Sequence, residues 1–137
     1  MFRLGDIETV EQVEIELRNP RTGAPLGVRI SLAGPAHPLH QAKVLERSRR
    51  MMLAAALEGK EKAMERGLDE AQQARVELAI ACVINWRGLA NGDGHELPWS
   101  PQKAADVLMD KRNHWILEQI SDALNDRDRF TKDSANA

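Results

Sequence analysis

Two stretches near the N-terminus alternate between apolar and polar positions. In the first, Val13, Ile15 and Leu17 point one way while Glu14, Glu16 and Arg18 point the other; in the second, Val28, Ile30 and Leu32 alternate with Arg29 and Ser31. A period of two marks a strand with one buried face. The intervening Asn19-Pro20-Arg21-Thr22-Gly23-Ala24-Pro25 is dense in turn formers, so residues 11–32 predict a β-hairpin. Acidic outer side chains on one strand oppose basic ones on the other, which favours pairing. A lone hairpin is marginal in water, so its apolar face must lie on helices or on another subunit.

After Gly34-Pro35-Ala36-His37-Pro38 the period changes. Leu39, Ala42, Leu45, Arg49, Met52 and Ala56 recur at spacings of three and four, which predicts a helix over 39–57 with Pro38 in its first turn. Lys60 to Arg66 can continue it past Gly59, and Gly67 ends it. Asp69 is placed as the N-cap of a helix running to about Leu89. Its segment LAIACVIN, residues 78–85, is apolar on nearly every side and is expected to be the central buried element. Ser100 then caps a short helix that starts at Pro101 and reaches about Met109. A last helix is expected from Asn113 to Arg127, with Ile116, Ile120, Ala123 and Leu124 inward. The tail TKDSANA is small, polar and expected to be mobile. The whole pattern predicts an α+β, mainly α domain: an N-terminal β-hairpin followed by a four- or five-helix bundle around residues 78–86. The divisions are a hairpin region over 1–36, a helical domain over 37–130 and a flexible tail over 131–137.

Composition narrows the class. Apolar residues make up 42% of the chain, enough for a core, and the formal charge of −2 gives no general pull toward nucleic acid or anionic membrane. The single Cys82 excludes an intramolecular disulfide and fits a reducing cytoplasm. No run approaches the ~18 apolar residues of a membrane span, and Met1 to Asp6 opens nothing like a signal peptide. A soluble intracellular protein is expected.

The stretch NGDGHELPW, residues 91–99, is the best candidate for chemistry. Aligned as a calcium loop, Asp93 and Gly94 take positions five and six and Asn91 position three, but Leu89 and Ser100 fall where the strongest ligands belong. The stretch is therefore read as a tight reversal built on residues that tolerate positive φ. His37 and His40 could share a helix face, His95 and His114 lie far along the chain, and no Cys pair or HExxH helix accompanies them. Cys82 lies among Ala79, Ile80, Ala81, Val83 and Ile84, where burial raises a thiol's pKa and makes it inert. No GxSxG, P-loop or GxGxxG is present. The chain is thus expected not to be an enzyme and to need no cofactor; Asp93 and His95 keep a metal-dependent enzyme as a third reading. Lys43, Arg47, Arg49 and Arg50 could contact phosphates, although Glu46, Glu58 and Glu61 interleave with them, and a small prophage-encoded DNA-binding regulator is the alternative function. Trp86, Trp99 and Trp115 are spaced as one packing cluster, with Trp99 open between interior and interface.

Several of these features together resemble one family. They are the hairpin, the Gly34-Pro35 break, Trp86-Arg87-Gly88, the Asp93-Gly94 turn, Leu97-Pro98-Trp99-Ser100, Glu118-Gln119-Ile120 and the step from Asp126 to Phe130. In this order they resemble the tail assembly chaperones of long-tailed bacteriophages and related prophages, over nearly the whole chain. The resemblance implies a helix-rich cytoplasmic factor, absent from the mature virion, that self-associates as a homo-oligomer. It also implies partners: a tape measure protein that it binds and keeps soluble, and a major tail protein that it helps to recruit, with no nucleic acid and no membrane. A longer frameshifted product is common in that family, and here it would extend from about Thr131. The residues suited to a client are Met51, Met52, Leu53 and Leu57, with Trp99, because Met-rich apolar surface adapts to imprecise partners. The same stripe would equally pack on the central helix. The matched motif residues Trp86, Gly88, Asp93, Gly94, Pro98, Trp99, Trp115 and Phe130 carry structural roles. The exposed hairpin edge is a second candidate surface.

Overall fold

The computed structural model describes residues 1–133, with the side chains of all of these except 66–69 and 133. The hairpin is formed by β2 (Gln12–Arg18) and β3 (Pro25–Ala33), antiparallel, with Val13 opposite Leu32 and Ile15 opposite Ile30. A third strand, β4 (Val83–Arg87), pairs antiparallel with the other side of β3 and places Trp86 opposite Ile30. The sheet order is β2-β3-β4. Ile15, Leu17, Val28, Ile30, Leu32 and Trp86 line its buried face. On the outer face, Glu14 accepts from Arg29 at 3.3 Å and from Arg87 at 2.9 Å, tying the three strands together.

Three helices meet the apolar face. They are α3 (Ala71–Cys82), α4 (Pro101–Met109) and α5 (His114–Leu124). Their buried residues Ala79, Cys82, Ala104, Leu108, Ile116, Leu117 and Ile120 join the sheet residues in one core. Ser100 Oγ accepts the Lys103 N–H at 3.1 Å and Pro101 opens α4, as a side-chain cap followed by proline requires. Two further helices, α1 (Pro38–Glu58) and α2 (Lys60–Asp69), lie outboard of α3. His37 caps α1, its Nδ1 accepting the Leu39 N–H at 3.1 Å.

This architecture corrects the expectation of a hairpin followed by a helix bundle. The predicted helix from Asp69 to Leu89 stops at Cys82, and the second half of LAIACVIN is β4. A short run that is apolar on every side is equally a buried strand, and β-branched Val83 and Ile84 favour the extended form. The edge of β3 supplied the partner that periodicity could not show. The backbone of Gly67 lies inside α2 rather than at its end, Asp69 is the last residue of α2 rather than the cap of the next helix, and the position before α3 is Glu70. The last helix ends at Leu124 and gives way to a 3-10 turn over Arg127–Phe130. Thr131–Asp133, placed in the mobile tail by composition, forms β5 and pairs with β1 (Ile7–Thr9). The remainder of that tail lies outside the described residues.

Candidate interaction surfaces

NGDGHELPW closes a reversal. Asn91 Oδ1 accepts the N–H groups of Asp93 at 3.0 Å and His95 at 3.2 Å, while the Asn91 N–H reaches the His95 carbonyl at 2.9 Å. Gly94 takes φ +81°, the left-handed conformation that the turn needs. The Leu97 N–H donates to the Leu89 carbonyl at 2.8 Å, and the Leu97 carbonyl accepts from Trp86 Nε1 at 2.7 Å. The loop is therefore strapped to β4 from inside. Asn91 serves as the hinge of this network, and its role was legible only as one of several turn formers. Asp93, His95 and Pro98 are exposed. Among the described residues no group of three His, Cys, Asp or Glu side chains is placed to hold a metal ion.

The three tryptophans occupy different settings. Trp86 is buried in the sheet, whereas Trp99 and Trp115 are partly buried against the core margin. Trp99 Nε1 is buried and has no hydrogen-bond partner among the described residues. Two glycines explain close approaches nearby. Gly88, at φ +82°, sits where a Cβ would overlap the Gly27 carbonyl, and a Cβ on Gly34 would overlap the Phe130 ring. The Gly34 break and Phe130, nearly a hundred residues apart, are thus one contact.

The two faces of α1 differ. The side carrying Lys43, Arg47, Arg50, Met51 and Ala54 turns toward α3 and borders open clefts there, the larger about 310 Å³. Glu77 of α3 takes Arg50 at 3.2 Å and Lys43 at 3.8 Å, so two cations of the basic run are engaged in ion pairs. By helix geometry the stripe Ala42, Leu45, Arg49, Met52 and Ala56 faces the other way. No residue of this 21-residue helix is buried. Met52 is 73% exposed and Leu57 76%, with Leu45, Leu53 and, from α2, Met64 also open. Met51 is half exposed at the cleft margin.

The start of α1 meets the core at a junction that sequence reading missed. His40 Nδ1 lies 3.2 Å from the Ala33 carbonyl and 3.4 Å from Cys82 Sγ. Nothing in the spacing of residues 40 and 82 signals this pairing; it follows from β4 starting at Val83 opposite Leu32, beside the end of β3. Cys82 is fully buried, and burial pushes its thiol up to about 12, so the thiolate form is suppressed. The junction acts as a clasp.

One strand edge stands open beside α5. The Gln119 side chain accepts the Arg18 N–H at 2.9 Å and donates to the Arg18 carbonyl at 2.8 Å, imitating a neighbouring strand. Beyond it, toward the N-terminus of β2, a gap of about 490 Å³ separates β2 from α5.

Among the described residues no helix is long and apolar enough to cross a membrane. No curated protein and no solved structure matches the chain. Residues 39–137, which among the described residues take in α1 from Leu39, the later helices, β4 and β5 but not the hairpin, match the YdaY prophage protein family. The chain belongs to the YdaY prophage protein family.

Proposed function

We propose that this prophage protein is a tail assembly chaperone, a non-enzymatic cytoplasmic factor that self-associates. It would cover the apolar stripes of a tape measure protein and help bring in major tail protein. The observation that supports this reading is α1. A 21-residue helix with no buried residue, showing Leu45, Met52, Leu53 and Leu57 to solvent, is surface kept for contact. Fully burying a Leu or Met side chain is worth about 1.5–3 kcal/mol. Covering these four from their present exposure would therefore release roughly 4–8 kcal/mol before the cost of association. That range suits a holdase, which must grip an extended helical client at many points and later let go.

The test is co-expression with a helical fragment of the tape measure protein from the same prophage, reading the soluble fraction of the fragment. Wild-type protein raises that fraction. The double variant Met52→Glu with Leu57→Glu abolishes the gain while leaving the far-ultraviolet circular dichroism unchanged. A fragment equally soluble with and without the protein sinks the proposal.

A further inference from the structure

The phase of the hairpin ladder decides which backbone groups of β2 are spare. The Gly34 N–H donates to the Glu11 carbonyl at 2.7 Å, so residues 11, 13 and 15 exchange hydrogen bonds with β3. The backbones of Glu14 and Glu16 therefore point away from β3, on the outer edge of the sheet. Arg18 has the same orientation, and its N–H and carbonyl are the pair taken by Gln119. At the other end the Val10 N–H is held by the Phe130 carbonyl at 2.7 Å. Between these two closures, the Glu14 and Glu16 backbone groups have no partner among the described residues. They open on the 490 Å³ gap, whose far wall is Gln119, Asp122, Ala123, Asp126 and Arg129, with Arg129 paired to Asp126 at 3.2 Å and Asp122 without a cation partner among the described residues.

We infer that this gap receives an extended segment of a partner protein by strand addition, and that the segment alternates basic and small apolar residues. Residues directly opposite Glu14 and Glu16 emerge on the same outer face as those carboxylates, where cationic side chains pair favourably across strands. The residue between them turns inward to Ile15 and Ala123, where a small apolar side chain fits. Three residues at about 3.3 Å each span the open part of the edge. A second copy of β2 is a poor occupant, because antiparallel pairing would set Glu14 and Glu16 against their own counterparts. This site is separate from the α1 stripe, so it stands or falls independently of the chaperone reading.

The experiment titrates the full chain into fluorescein-labelled acetyl-KVKVK-amide and follows anisotropy. Two controls accompany it: EVEVE, and KVKVK N-methylated at its lysines, which keeps the charge but loses the donors that face β2. Binding of KVKVK is expected, with both controls at least tenfold weaker. The Glu14 and Glu16 amides should gain hydrogen-exchange protection, and the exposed-site variant Glu16→Lys with Asp122→Lys should weaken binding at least tenfold. Absence of KVKVK binding overturns the inference. So does equal binding of the N-methylated peptide, which would mean charge attraction alone. Dimerisation through the Glu14–Glu16 edge, seen as concentration-dependent protection without peptide, would also overturn it.

Discussion

Replacing Trp86 and Trp99 separately by Phe isolates what each indole N–H does. Trp86 is buried and its Nε1 donates to the Leu97 carbonyl at 2.7 Å. Trp86→Phe removes that bond, worth about 1 kcal/mol net. It also removes two buried ring carbons, worth about 1.5 kcal/mol at roughly 0.8 per carbon. The expected cost is about 2.5 kcal/mol, and the loop over 91–98 loses its strap to β4. Trp99 differs because its buried Nε1 has no hydrogen-bond partner among the described residues. Trp99→Phe loses similar apolar area, less complete because the residue is half-buried, but removes an orphan donor whose burial costs about 1–3 kcal/mol. The two effects nearly cancel, so Trp99→Phe should lie within about 0.5 kcal/mol of wild type. Urea unfolding followed by circular dichroism reads the difference. With a slope of about 2 kcal/mol per M, Trp86→Phe lowers the midpoint by about 1.2 M and Trp99→Phe leaves it almost unmoved. Equal losses in the two variants would refute the assignment of distinct roles.

Gly34→Ala drives a Cβ into the Phe130 ring and should cost about 2 kcal/mol, or about 8 °C in Tm by thermal melt; the added loss should shrink when Phe130→Ala makes room. Cys82 should resist a disulfide-exchange thiol reagent at pH 8 in the native state and react fully in urea, since its thiol is buried and held near 12. The Arg112 side chain, reinforced by its own backbone N–H, lowers the Asp110 carboxyl from 3.8 to about 2. Any stability this gives is present above the ordinary carboxylate range and is lost as pH falls through about 2; Arg112→Ala should return the Asp110 titration, followed by carboxyl NMR, toward 3.8. Native-state hydrogen exchange should release the α1 amides well before those of β3, because exposed ion pairs such as Arg50–Glu77 hold α1 with about 0–1 kcal/mol each.

How much of this was legible depended on whether the signal was local. The hairpin could be read because alternation and turn chemistry lie within one stretch, and α4 because Ser100-Pro101 states a helix start outright. β4 could not be read, since Val83 and Ile84 are apolar on all sides and only the free edge of β3 decides between strand and helix. β1 and β5 are three residues each and exist through each other. The stripe over 42–56 was visible as a period, yet a period does not say which way the face points. It faces away from α3, because Glu77 draws Lys43 and Arg50 to the inner side. Nor could spacing reveal that Gln119 closes the end of β2, or that His40 meets Cys82.

The distribution of burial argues for a division of labour. Among the described residues, the sheet, α3, α4, α5 and Phe130 of the closing 3-10 turn carry the whole hydrophobic core, and α1 adds no residue to it. α1 is anchored at its start by the His40 clasp and along its length by the ion pairs of Glu77, with Met51 and Ala54 beside them on the side toward α3. Apolar side chains that stabilise nothing in the isolated chain still carry the cost of exposure, and exposed Leu and Met in series favour non-specific association. A helix with this profile makes physical sense when another chain regularly covers it. The open edge of β2 is the opposite kind of surface, narrow and directional, with acidic side chains setting which strand it accepts. One surface suits a grip on many apolar stretches; the other suits a single segment of defined register.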